Sequence, residues 1–342
     1  MRALAAVLLL TLAGACAPMQ VQHALVTGPD FAGPRLEADR FVSFDGAKLG
    51  LTRWTPPGDQ PWAVIVGVHG MDDYANAFHL AAPYWAAEGI ATYAYDQRGF
   101  GRSPQRGIWA GDALMTEDLR TIVALLRARY PHAVIAVAGE SLGGAVAIEA
   151  FASERPPDAD RLVLLAPAVW GWSSQPLLYT TALVLAAHLA PAKVFTPPGF
   201  VTDHIQASDN IEELIAMGRD PLMIWGARAD ALYGLVGTMQ RADDEVGRIR
   251  APTLYMMGAK DEIIPHAPAV DAARRLPTGD RSASYAKGWH LLLRDKQAHN
   301  VWDDVAAFVR DPAAALPSGA PPVPGAAASS AKVAGAAPPA GP

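Results

Sequence analysis

One cysteine, Cys16, is all that the 342 residues contain, so no internal disulfide can form in any compartment. Basic residues are sparse as well: 28 Lys and Arg against 34 Asp and Glu leave a net charge of −6, with no Lys/Arg-rich block. Phosphate backbones need concentrated positive charge, so a nucleic-acid partner is excluded. The nine histidines are scattered, without an H-E-x-x-H or a Cys/His cluster. No metal site and no other cofactor is therefore expected. No internal repeat is present, and the apolar stretch at residues 3–13 is too short to span a bilayer as a stable helix.

What is there begins with bulk. At 51% hydrophobic and 18% charged, the chain can bury a large core, and its length suits one large domain or one domain carrying a sizeable insertion. The ends differ from the middle. Arg2, the apolar stretch 3–13 and the small residues Gly14-Ala15 read as an export signal over residues 1–16. Leu12-Ala13-Gly14-Ala15-Cys16 resembles a bacterial lipobox, and the sole cysteine stands at the processing point. The expectation is lipidation of Cys16 and an exported lipoprotein held on the periplasmic or outer-membrane side, with plain secretion as the alternative. Residues 17–37 read as a linker. Residues 312–342 are nearly all Ala, Pro, Gly and Ser, with Lys332 their only charge, and read as a disordered tail.

Between the ends, short apolar β-rich runs alternate with helical patterns, the signature of an α/β fold with a mostly parallel sheet covered on both faces. Strands are predicted at 40–44 and 49–54, a hairpin turning at Asp45-Gly46, and at 62–68, 90–95, 134–138, 162–165, 253–257 and 282–285, eight in all. Helices are predicted at 74–88, 114–130, 142–153, 267–275 and 300–309. Residues 169–248 break the alternation and read as a helical cap inserted between core segments 38–168 and 249–311. Trp170, Trp172, Leu177, Leu178, Tyr179, Leu183, Val184, Leu185, Trp225 and Tyr233 make this insertion unusually apolar. Most of them are expected to form its core, and some to wall a cleft.

The chemistry starts at Gly139-Glu140-Ser141-Leu142-Gly143. A G-x-S-x-G turn between a strand and a helix lifts a serine hydroxyl to the tip of a tight elbow, facing the positive end of the helix. A serine needs a base, and the base needs a carboxylate to hold its tautomer. In this arrangement acid and then histidine follow the serine along the chain. Asp261, in the loop after strand 253–257, is the acid, with Glu262 its neighbour and competitor. His290, in the loop after strand 282–285, is the base, with His266 and His299 as alternatives. The oxyanion requires two backbone N–H donors, assigned to Leu142, next to the nucleophile, and Met71, after strand 62–68. His69 is expected to brace the latter loop.

His69-Gly70-Met71, the segment from Tyr95 through Asp96, Arg98 and Gly101 to Ser103, the serine elbow, Gly258-Ala259-Lys260-Asp261 and Gly288-Trp289-His290 together resemble the α/β-hydrolase superfamily. The resemblance spans about residues 41–309. Within the superfamily it is to the monoacylglycerol lipase and lysophospholipase group, also called serine aminopeptidase-like. Asp220-Pro221-Leu222 looks like a cap motif of that group, whereas Glu140 stands where the group usually carries histidine. The resemblance implies a structural turn for Asp96 and Arg98 and hydrolysis of a carboxylic ester of monoacylglycerol or lysophospholipid type through an acyl-enzyme on Ser141. An acyltransferase, a peptidase or a catalytically idle envelope lipoprotein is the alternative. The partners expected are a small amphiphilic ester and a membrane surface.

Overall fold

The computed structural model describes residues 18–196 and 205–326. The export segment and Cys16 lie outside the described residues. The core is one nine-stranded sheet in the order β1-β2-β3-β5-β4-β6-β7-β10-β11. Its strands are β1 (Arg35–Leu36), β2 (Arg40–Val42), β3 (Lys48–Trp54), β4 (Ala63–Val68), β5 (Ile90–Tyr95), β6 (Val134–Glu140), β7 (Arg161–Leu165), β10 (Thr253–Gly258) and β11 (Arg281–Tyr285). β1 to β3 join antiparallel, and every pairing from β5 to β11 is parallel. The eight expected strands are all present. The ninth is the two-residue β1.

Period-two alternation explains the layering. Val64, Val66 and Val68 of β4 with Ile135 and Val137 of β6 point into one cluster, while Ala63 and Ile65 with Ala136 and Ala138 point into the other. The first face is covered by α2 (Asp112–Arg129), α3 (Leu142–Ala152) and α7 (His266–Arg274), the second by α1 (Ala81–Ala87) and α8 (Ala298–Arg310). Each fully buried Val or Ile contributes about 1.5–3 kcal/mol, which is why shifting a central strand by one residue is prohibitive. The register sets Val68 opposite Gly139 and Glu140 opposite Leu165, so the C-terminal strand ends gather at one edge. In open α/β sheets that edge is where ligands bind.

The cap departs from its expected form in two ways. It contains α4 (Leu177–Leu189), α5 (Ile211–Arg219) and α6 (Ala229–Glu245), and also a small antiparallel ribbon of β8 (Val194–Phe195) and β9 (Ala227–Arg228). Its apolar residues are not mainly a core: Leu177 is 81% exposed, Leu178 75% and Tyr179 61%, and Ala187 alone in α4 is buried.

Both ends of the described chain correct the sequence reading. Residues 18–37 are more than a linker. The Gln20 N–H donates to Asp230 in α6, the Gln22 N–H to the Trp109 carbonyl and the Leu25 N–H to Asp45, so this stretch straps the cap to the core before entering β1. Residues 312–326 are not disordered. The Ser284 N–H of the edge strand β11 donates to the Pro321 carbonyl at 2.8 Å, the Val323 N–H to Ser282 Oγ at 3.0 Å and the Ser318 N–H to Asp304 Oδ1 at 2.9 Å. Leu316 and Val323 are buried. A proline-rich segment accepts but rarely donates, which suits it to lie along a strand edge. Residues 327–342 lie outside the described residues. Truncation after Asp311 removes the buried Leu316 and Val323 and uncovers the apolar surface they pack on; it is expected to cost about 2 kcal/mol or more, lowering Tm by several degrees in a thermal melt, and an unchanged Tm would show that the segment adds nothing.

Candidate active site

β6 runs without a loop into Ser141 and then α3. Ser141 has φ 53° and ψ −116°, a conformation that costs a non-glycine residue about 1–3 kcal/mol. Its surroundings enforce it. The Ser141 N–H donates to the Leu165 carbonyl at 3.0 Å, and its own carbonyl accepts from Ala145 and Ala168. The elbow closes only because its flanks are glycine: a Cβ on Gly143 would lie 2.1 Å from the Val68 carbonyl oxygen, and one on Gly139 2.5 Å from that of Gly143.

Asp261, after β10, and His290, after β11, are brought together. His290 Nδ1 lies 2.9 Å from Asp261 Oδ2, and Asp261 Oδ1 accepts from the Ile263 and Ile264 N–H groups at 2.8 and 2.9 Å. Two backbone bonds thus aim the carboxylate. Burial pushes the Asp261 pKa up, but the His290 charge and these hydrogen bonds outweigh it, so the group lies below its ordinary range. Burial pulls His290 down, yet the Asp261 charge and hydrogen bond, and then Glu140, hold it above its ordinary 6.5. The competing residues are engaged elsewhere. Glu262 accepts from the Gln206 N–H, His266 contacts the Ala259 carbonyl, and His299 pairs with Asp303 on the surface.

The loop after β4 supplies the third part. His69 is fully buried, accepts from the Gln97 N–H at Nε2 and therefore carries its proton on Nδ1, which donates to the Gly70 carbonyl at 2.7 Å. Burial lowers its pKa, so His69 is a neutral brace. A Cβ on Gly70 would stand 3.2 Å from Ser141 Cβ, which brings the Met71 backbone beside Ser141. The Leu142 side chain is buried with Phe100, Trp109 and Val146, so only its amide, at the open first turn of α3, is available for a ligand. Asp96 and Arg98 are structural: Asp96 accepts from Ala75 and Arg102, and Arg98 grips Asp45 and Asp118.

A cavity of about 760 Å³ opens over this edge, lined by Met71, Ser141 and His290 and roofed by Met217, Met223, Ile224, Trp225 and Leu232 from the cap. Of the cap residues singled out in the sequence, only Trp225 reaches it. The cap is pinned to the loop after β4 by the Tyr74 hydroxyl, which donates to Asp220 Oδ2 at 2.6 Å. The Asp220-Pro221-Leu222 motif is therefore a fastening. Asp72 also lines the cavity, and burial, then the Asp73 charge, push its pKa up to about 7. Sequence reasoning missed Asp72, along with Asp73 and Arg294, because a loop carboxylate or a lone Arg carries no pattern.

The family model described as serine aminopeptidase, S33 matches residues 59–297. The chain belongs to that family. It is 27% identical to a monoacylglycerol lipase of Mycolicibacterium smegmatis over 79% of this chain and 95% of the relative. It is 24% identical to the human monoglyceride lipase over 84% and 95%. Two solved structures share the fold: a Paleococcus ferrophilus monoacylglycerol lipase, with TM-score 0.63 and 20% identity over 76% of this chain and 98% of that one, and a carboxyl esterase of Bacillus coagulans, with TM-score 0.65 and 17% identity over 79% and 96%. The S33 match begins within the turn before β4 and ends past His290, so it takes in the elbow, both partner loops and the whole cap.

The raised His290 pKa has a signed consequence. A base must be neutral to accept a proton, so kcat/KM falls as pH drops through the His290 pKa. The acid limb of an ester-hydrolysis profile is expected to have its midpoint above 6.5; a midpoint below about 6 would mean that Asp261 does not raise His290.

Proposed function

We propose that the chain is a serine carboxylic-ester hydrolase that acts on amphiphilic esters of monoacylglycerol or lysophospholipid type through an acyl-enzyme on Ser141. The observation that carries this reading is the convergence of the strained Ser141, the Asp261–His290 pair and the Met71 loop on one apolar cavity. His290 takes the Ser141 proton as Oγ attacks the ester carbonyl, and Asp261 steadies the resulting imidazolium. The Met71 and Leu142 N–H groups receive the oxyanion. His290 then protonates the departing alcohol and, in the second half, draws a proton from the water that releases the acid. The apolar roof suits an acyl chain, and the names of the relatives agree with that class. The exposed apolar face of α4 suits an enzyme that meets its substrate at a lipid surface.

The rival acyltransferase and peptidase readings use the same relay and differ only in the acceptor or in the bond broken. Ser141→Ala in the purified chain should lower p-nitrophenyl ester turnover by about 10⁴-fold or more; turnover near the parent's would sink the assignment. Localisation is a separate proposal: the chain is exported and anchored through lipid on Cys16, with secretion as the alternative. Cys16→Ser is expected to move the protein from the membrane fraction to the soluble one, and retention in the membrane would count against lipidation.

A further inference from the structure

Three buried charged side chains stand outside this relay, two carboxylates each bonded to one guanidinium. Arg294, four residues past His290, is 1% exposed; its Nη1 donates to Asp73 Oδ2 at 2.7 Å and its Nη2 to Glu140 Oε1 at 2.6 Å. Asp73 follows Met71 by two positions and Glu140 directly precedes Ser141. One guanidinium thereby joins the loop of the base, the loop of the nucleophile and the loop of an oxyanion donor. Glu140 lines the cavity, and among the described residues its Oε2 and the Arg294 Nε have no hydrogen-bond partner. An incompletely satisfied buried ion network is a poor device for stability, since packed apolar residues would serve as well or better.

We propose that Arg294 and Glu140 are positioning residues for the ester-hydrolase reaction, Arg294 fixing the oxyanion loop against the Ser141 elbow and Glu140 supplying a second negative charge to His290. The inference rests on the function proposed above. Glu140 and His290 line the same cavity, and His290 becomes an imidazolium in each half-reaction: the Asp261 and Glu140 carboxylates favour the cation, and the Arg294 guanidinium disfavours it. Asp73 accepts from the other terminal nitrogen of Arg294. Glu140 thus offsets the cation that the loop clamp requires. Without its charge, Arg294 would face the imidazolium with Asp73 alone to balance it. A lysine at position 294 would keep the positive charge but lose the planar fork that reaches two carboxylates at once.

Parent, Ser141→Ala, Glu140→Gln and Arg294→Lys are compared on a soluble p-nitrophenyl ester across about pH 5 to 9, with a thermal melt of each. Glu140→Gln is expected to shift the acid limb of kcat/KM to lower pH by about half a unit or more. Arg294→Lys is expected to lower kcat by about tenfold or more, with KM within about twofold and the acid limb unmoved, because an ill-placed oxyanion donor is felt only in the transition state. The proposal is overturned if both variants keep the parent's kcat and acid limb, or if lost activity merely follows lost folded protein. Should Glu140→Gln fail to fold, the kcat against KM split of Arg294→Lys decides alone. A parent no more active than Ser141→Ala would remove the ester-hydrolase reading itself, which is a different result from an active parent with indifferent variants.

Discussion

Everything at the catalytic edge depends on how closely two backbones approach. Gly143, in the first turn of α3, lies against the Val68 carbonyl so tightly that no Cβ fits between them. This contact lets the helix begin on the residue after Ser141, and it holds Ser141 in its positive-φ conformation. The parallel register of β4 with β6, Val68 opposite Gly139, brings the two chains to the same height. The buried valines and isoleucines on both sheet faces keep that register from slipping. Strain at a single residue is thus sustained by the packing of the whole central sheet.

The remaining parts are arranged around this fixed point by short bonds between loops rather than by regular structure. Asp261 is aimed by two backbone N–H groups and in turn orients His290. His69 holds its own loop through Gln97 and the Gly70 carbonyl. Arg294 ties that loop to the elbow, and Tyr74 ties it to the cap. Loops carry the chemistry because only they can present groups from four strand ends to one point, and each must then be held by polar contacts that a strand would have had for nothing.

The sequence disclosed the parts that obey a period or a punctuation. Strands such as residues 63–68 and 134–140 announce themselves by apolar β-branched runs, and the elbow by its glycines. The pairing of Asp261 with His290 was readable because each follows a strand in an expected order. The cap was harder. Its apolar residues looked like core by composition, yet Leu177 and Leu178 face outward while Met217, Met223 and Ile224 roof the cavity. Which face of a helix is turned inward depends on what it packs against, and periodicity does not contain that. The low-complexity segment at residues 312–326 misled for a related reason: Leu316 and Val323 are only two apolar side chains among many Ala and Pro, and their burial follows from the open flank of β11. Arg294 had no signature at all, since the partners of a lone arginine lie over a hundred residues away in the chain.

The covering of β11 by residues 312–326 bears on the behaviour of the chain in a crowded solution. A bare parallel edge strand offers its unpaired backbone groups to any other chain with an exposed strand, and pairing of that kind leads to aggregates. Here Pro321 and Val323 occupy part of one edge, and the opposite edge is the two-residue β1, too short to template much pairing. A nine-stranded sheet would otherwise end in sticky margins on both sides. The proline-rich segment at residues 312–326, which by composition reads as disordered, covers part of one margin of a molecule that already exposes an apolar helix on its cap.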